Sequence, residues 1–182
     1  MLRMSDTRTR LLDAATQVML TGGAQALTLD AVAAAAGVSK GGLLYHFPGK
    51  QALVAGMVER FVGQFDAALR VAGDSPGAAT RAYLEATISP GASRAGAEAD
   101  AVTAALFAGA LVDPEALVPL RAAYERWQAR LADDGIDPVV ATAVRLAVDG
   151  WWLARLVGLA PPAAGLHERV RSLLLSMTEG GE

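Results

Sequence analysis

Apolar side chains recur along most of this chain at intervals of three and four residues, the spacing of one face of an α-helix. Leu11, Leu12, Ala15, Val18, Met19 and Gly22 share such a face and predict a first helix over about residues 7–22, ended by Gly22-Gly23. Thr28 is a good N-cap for a second helix, with Leu27 and Val32 at hydrophobic-staple positions and Gly37 suited to its left-handed end. Ser39 caps a third helix, which Pro48 stops near Phe47. Leu53, Met57, Phe61, Phe65 and Leu69 then repeat every four residues and predict a long helix over about residues 50–72. Its apolar stripe exceeds what three short helices can cover, so it is expected to serve both halves of the molecule.

Cap-then-proline pairs mark later helix starts at Ser75-Pro76, Asp113-Pro114 and Asp137-Pro138. The Gly/Ser/Ala stretch 89–99 reads as a loop, and a last helix over about residues 164–178 carries Leu166, Val170, Leu173, Leu174 and Met177. No period-two run supports a strand. The expectation is an all-α chain of about nine helices.

Residues 28–47, TLDAVAAAAGVSKGGLLYHF, read as capped helix, glycine turn, capped helix: a helix-turn-helix. The run Ala33–Ala36 keeps the first of these helices slim, so the second can cross it closely. Gly41 and Gly42 leave the start of the second helix without bulk, at an intrinsic cost of about 1 kcal/mol each. Such a surface suits approach to a groove. An αα-hairpin with ordinary caps is the other reading of the same pattern.

Composition narrows the function classes. The 182 residues are 53% hydrophobic but only 5% aromatic, with 39 alanines and 24 leucines, the strongest helix formers. That much aliphatic surface on a small chain predicts a subunit interface or an internal cavity. With no cysteine and two distant histidines, His46 and His167, no thiolate nucleophile, disulfide or Cys-ligated metal is available, and no metal or cofactor is expected. The longest apolar stretch, residues 101–112, is too short to span a bilayer, and Arg8, Arg10 and Asp13 interrupt any signal-peptide core. A cytoplasmic protein without membrane contact is expected. The net charge of −3 is unevenly spread. Residues 1–60 hold six basic and four acidic side chains, a balance of +2, and residues 61–182 hold ten and fifteen, a balance of −5. Both lysines, Lys40 and Lys50, lie in the basic part. This is the pattern of an anion-binding head on an acidic body.

The stretch TRTRLLDAA…GGAQALTLDAVAAAAGVSKGGLLYHFPGKQAL resembles the N-terminal DNA-binding domain of TetR-family transcriptional regulators. The resemblance implies a DNA-binding head over residues 6–60 and an effector-binding and dimerisation body over residues 61–182. It implies a homodimeric repressor that binds a palindromic double-stranded operator and is released by a small-molecule effector. Thr28 matches the N-cap that touches a phosphate, and Ser39 the cap of the recognition helix. Lys40, Gly41 and Gly42 match the start of that helix, facing base edges. Tyr45 and His46 match an aromatic/His pair that reaches phosphate or bases, and Lys50 a phosphate-binding lysine. Many members carry tyrosine where this chain has Leu44. Here it comes one residue later, a rotation of about 100° around the helix, so both Leu44 and Tyr45 are candidates for the DNA face.

In the body, Ala143, Ala147 and Gly150 on the helix after Pro138 let another helix approach, and with Val170 and Leu174 of the last helix they are the expected dimer face. Phe65, Tyr83, Phe107, Tyr124, Trp127 and Trp152 are the large groups available to line an effector pocket, though aromatics at helical spacing also build ordinary cores. Arg145 and Asp149 are four apart and can pair. Asp149 and Glu85 could instead meet a cationic ligand. Two other classes fit the sequence less well. A helical-bundle enzyme lacks HExxH, ExxH and P-loop motifs, and no catalytic residue is assigned. A helical interaction adaptor without DNA binding would have little use for Lys40, Gly41, Gly42 and Lys50.

Overall fold

The computed structural model describes residues 2–88, 114–160 and 162–179. Among these it contains eight α-helices and one 3₁₀ turn, with no strand. The helices are α1 (Leu2–Ala26), α2 (Leu29–Ala36), α3 (Lys40–His46), α4 (Lys50–Arg70), α5 (Ala78–Thr87), α6 (Val118–Ala132), α7 (Pro138–Val157) and α8 (Ala164–Met177); the 3₁₀ turn, Pro114–Leu117, leads into α6. No helix among the described residues is long and apolar enough to cross a membrane. The described chain divides into two compact units, residues 2–61 with 114–120, and residues 62–88 with 121–160 and 162–179.

The first unit forms around one apolar cluster. Leu11, Leu12, Ala15 and Met19 of α1 are buried with Val32, Ala33 and Ala36 of α2, Leu43 of α3, Phe47, and Leu53 and Met57 of α4. Full burial of a leucine such as Leu11, Leu43 or Leu53 stabilises by about 1.5–3 kcal/mol. Only two of the four consecutive alanines face this core: Ala33 and Ala36 are buried, Ala34 and Ala35 exposed. The first helix is longer than its stripe predicts. No glycine or proline precedes Thr7 to stop it, and it continues to Ala26 across a break at Gly23, whose φ of 72° and ψ of −176° lie outside the helical region.

In the second unit the start of α5 differs from the expectation. Ser75-Pro76 does not open the helix; Gly77 does, at φ 75° and with no side-chain cap of its own. The cap comes from Asp134, which is buried. Its carboxylate accepts from the backbone N–H of Ala79 (3.0 Å) and Thr80 (2.8 Å) and from the Thr80 hydroxyl (2.7 Å). The Gly77 N–H donates to the Asp134 carbonyl at 2.7 Å. A β-carbon on Gly77 would stand 2.3 Å from the Thr178 carbonyl oxygen, so the site requires glycine for space as well as for backbone angle. By contrast Asp137-Pro138 opens α7 as predicted: Asp137 accepts from the Val139 N–H at 2.8 Å, with proline in the first turn. Pro114 begins the 3₁₀ turn, while Asp113 and the stretch 89–99 lie outside the described residues.

Candidate nucleic-acid interface

The turn between α2 and α3 is built by its caps. Thr28 Oγ1 accepts from the Ala31 N–H at 3.1 Å, and Gly37 ends α2 at φ 65° while its N–H returns to the Ala33 and Ala34 carbonyls. Ser39 Oγ accepts from the Gly42 N–H at 3.1 Å and starts α3. A β-carbon on Gly42 would lie 3.3 Å from that Ser39 oxygen, whereas one on Gly41 would meet nothing nearer than 4.0 Å. Gly42 therefore protects the cap, and Gly41 keeps the exposed face low.

Leu43 and Phe47 point into the core, which turns the other residues of α3 outward. Tyr45 is 73% exposed and Leu44 38%. The displaced tyrosine is thus the aromatic that stands out from the helix. Its ring meets His46 edge-on at 5.3 Å between centroids, and His46 is half-buried. Lys40 is exposed at the start of α3, with its Nζ 3.0 Å from an Asp30 carboxylate oxygen. Lys50 is exposed as the first residue of α4.

Arg8 and Arg10 of α1 and Arg60 of α4 fasten the first unit internally. Arg8 pairs with Glu59 at 2.9 Å and lies over the Phe47 ring at 5.3 Å. Arg10 donates to the Ala36 carbonyl at 2.7 Å, satisfying an end of α2. Arg60 pairs with Asp13 at 2.5 Å. Sequence reasoning missed these partners because each lies 26 to 51 residues away.

In the second unit, four of the six proposed pocket residues come together. Phe65 packs against Tyr83 (5.0 Å) and Trp127 (4.7 Å), and Tyr124 against Trp127 (5.1 Å). Tyr83 and Trp127 are buried, Phe65 and Tyr124 half-buried. Trp152 is half-buried on α7, and Phe107 lies outside the described residues. The hub of this cluster is Asp149. It accepts from the Tyr83 hydroxyl at 2.5 Å and the Tyr124 hydroxyl at 3.4 Å, and pairs with Arg145 at 2.8 Å. Burial pushes the Asp149 carboxyl above its ordinary range, opposed by the Tyr83 hydroxyl and Arg145. Burial, with the Asp149 charge, pushes Tyr124 up to about 12, and Tyr83 is likewise raised, by burial first and then by Tyr124 and Asp149. A second carboxylate, Asp66, accepts from Trp127 Nε1 at 2.6 Å. The spacing of Arg145 and Asp149 gave their pair in advance; nothing local signalled Asp66. Glu85 pairs with Arg171.

Along α7, Val139, Ala143, Leu146, Ala147, Gly150 and Leu153 are exposed, at three- and four-residue spacing. Ala141, Val144, Val148 and Trp151 form the opposite, buried face, where Trp151 meets His167 of α8 at 4.4 Å. On α8, Leu166 and Leu173 are exposed and Val170 half-buried. Leu174 turns into the chain's own core, one residue being enough to change faces, and so does not share the exposed face with the others.

Comparison with known proteins adds to this geometry. The family model for bacterial regulatory proteins of the tetR family matches residues 11–57. That for the tetracyclin repressor-like C-terminal domain matches residues 77–179. Among solved structures, a transcriptional regulator from Rhodococcus sp. Rha1 is 23% identical with a TM-score of 0.75, over 94% of this chain and 95% of that one. A TetR-family member from Streptomyces coelicolor A3 is 27% identical with a TM-score of 0.67, over 94% of this chain and 98% of that one. The multidrug binding protein EbrR in complex with ethidium is 28% identical with a TM-score of 0.67, over the same 94% and 98%. Among curated proteins, none matches.

Proposed function

The chain belongs to the TetR family of bacterial regulatory proteins, and from that premise we propose that it is a homodimeric repressor released from a palindromic operator by a small molecule. That it is a DNA-binding transcriptional regulator follows from family membership; dimer, operator symmetry, effector and residue roles are the reading advanced here. The observation that carries it is the outward face of α3: Lys40, Gly41 and Tyr45 exposed on a capped helix whose own core residues face inward. In a helix-turn-helix, such a face enters the major groove, with phosphate contacts giving affinity and base contacts giving specificity. Thr28, Ser39, Gly42, His46 and Lys50 complete the assigned contact set, within a head of residues 6–60. Lys50 supports this reading because a cation at a helix start opposes the helix dipole unless an anion is supplied.

The exposed apolar row on α7, with Leu166, Val170 and Leu173 of α8, supports a second copy of the chain as its cover. The assigned effector site is the aromatic cluster of Phe65, Tyr83, Tyr124 and Trp127 with Asp149, in a body of residues 61–182. The ethidium complex of EbrR supports an aromatic effector for it. Release would act through α4, which carries Leu53 and Met57 of the first unit's core and Phe65 and Asp66 of the aromatic cluster. Coupling of this kind is worth about 1–3 kcal/mol. A gel shift with DNA from upstream of the protein's own coding sequence tests the core of the reading. A retarded complex that resists scrambled competitor is expected; no complex with either DNA would contradict it.

A further inference from the structure

Asp30 and Lys40 are the only formally charged residues between Thr28 and Phe47. They meet each other: Lys40 Nζ lies 3.0 Å from the Asp30 carboxylate, tying the first turn of α2 to the first residue of α3. The pair is not there for stability. Its side chains are 56% and 72% exposed, and an exposed pair contributes little. Its effect is on charge. Asp30 cancels the one formal positive charge on the helix-turn-helix, beside a surface that has to approach a polyanion.

We propose that Asp30 is a specificity-determining residue, which holds Lys40 away from the phosphates of arbitrary DNA and presents it to a base edge. The inference rests on the reading above that Lys40 faces DNA. The physical basis is competition. A lysine ammonium on its flexible stem accepts any phosphate it can reach. With the carboxylate already in contact, a backbone phosphate offers one negative charge in exchange for another and gains little. A guanine edge in the groove offers two fixed acceptors, N7 and O6, which the remaining N–H donors of the ammonium can meet while it keeps its contact with the carboxylate. The pairing therefore lowers non-specific affinity more than operator affinity.

The test uses the full chain, the variants Asp30→Asn, Lys40→Gln and their combination, and two probes. One is a short duplex of scrambled sequence; the other is a duplex that the wild-type protein enriches from a random pool. Affinities are measured across a salt series, with thermal melts confirming that each variant folds. Asp30→Asn is expected to bind the scrambled duplex about threefold or more tightly. Its dependence of log affinity on log salt should steepen by about one, because a freed lysine releases about one counterion from a phosphate. Affinity for the enriched duplex should rise less, so the ratio between the two probes falls. In the Lys40→Gln background the Asp30 change should lose most of its effect. An unchanged ratio and slope would overturn the proposal. So would weaker binding to both probes, or an undiminished gain without Lys40, which would reduce Asp30 to bulk charge. If Lys40→Gln alone leaves both affinities unchanged, the placement of Lys40 at DNA fails. If it weakens binding while Asp30→Asn does nothing, only the role of Asp30 fails.

Discussion

Phe47 closes over Gly56: a β-carbon on Gly56 would stand 2.7 Å from Phe47 Cε1. Phe47 is the residue that ends α3, so the seat of the proposed recognition helix is set by the bare surface of α4. Gly56→Ala should force the ring to move and cost about 1–3 kcal/mol of stability. Pairing it with Phe47→Leu should recover part of that loss. Urea melts of Gly56→Ala, Phe47→Leu and their combination, read as a double-mutant cycle, check the coupling; simple additivity would mean that the contact does not limit packing.

Lys50 provides the simplest test of the phosphate contacts. Lys50→Ala should weaken binding to scrambled and enriched duplexes by similar factors and flatten the salt slope by about one. Tyr45→Ala should behave otherwise if the tyrosine reads bases, lowering affinity for the enriched duplex more than for the scrambled one. Leu44→Ala should affect both far less, because Leu44 is the less exposed of the two. Fluorescence anisotropy over a salt series distinguishes these cases.

Asp134 should be among the costliest single positions in the second unit. Asp134→Ala leaves two backbone N–H groups and a threonine hydroxyl without their acceptor at the start of α5. Caps contribute about 0.5–2 kcal/mol, and unsatisfied buried donors add to that, so a loss of about 2–4 kcal/mol is expected in urea melts. Asp134→Asn keeps the shape and one acceptor oxygen and should cost less. Equal melts for wild type and Asp134→Ala would show that α5 is capped by other means.

Asp149 gives a pH signature. Its carboxyl is raised in the folded chain, so the folded state binds its proton more tightly than the unfolded state does. Asp149 therefore contributes most to stability below its unfolded pKa of about 4. That contribution fades as pH rises through the folded value. Relative to Asp149→Asn, the wild type should lose stability as pH climbs from about 4. Denaturant melts at several pH values measure the difference; a gap that grows in the wild type's favour over that range would reverse the sign.

The features legible in the sequence are the ones with local causes. Thr28, Gly37, Ser39 and Asp137 announce their helix ends because cap and capped group lie within a few residues. The stripe of α1 put Leu11, Leu12, Ala15 and Met19, all buried, on one face with half-buried Val18 and exposed Gly22, and the Arg145–Asp149 pair followed from i,i+4 spacing. What could not be read is what distant chain supplies. The cap of α5 comes from Asp134, 54 residues beyond Thr80. Ser75-Pro76 looked like a start because a local signal was present and the overriding one was remote. Leu174, expected on the dimer face, is buried, while Leu173, about 100° away around the helix, is the one exposed. The Asp30–Lys40 pair has no local signal either, because it depends on the crossing of α2 and α3 that brings the two side chains together.

The exposed row on α7 predicts the assembly state. Leu146 is 56% exposed there, between Ala143 and Gly150. Leu146→Glu should place like charges against each other across a two-fold contact and yield monomers by analytical ultracentrifugation. Operator-length DNA should then be bound more weakly, while each head remains folded. A dimer of unchanged affinity would move the interface elsewhere.

A two-fold dimer selects DNA that shares its symmetry. Purified chain incubated with a random duplex pool, with the bound fraction sequenced over successive rounds, measures it directly. The prediction is an enriched inverted repeat whose half-sites are separated by a whole number of helical turns, bound by an even number of chains. Enrichment of a single asymmetric site bound by one chain, or no enrichment at all, would contradict it.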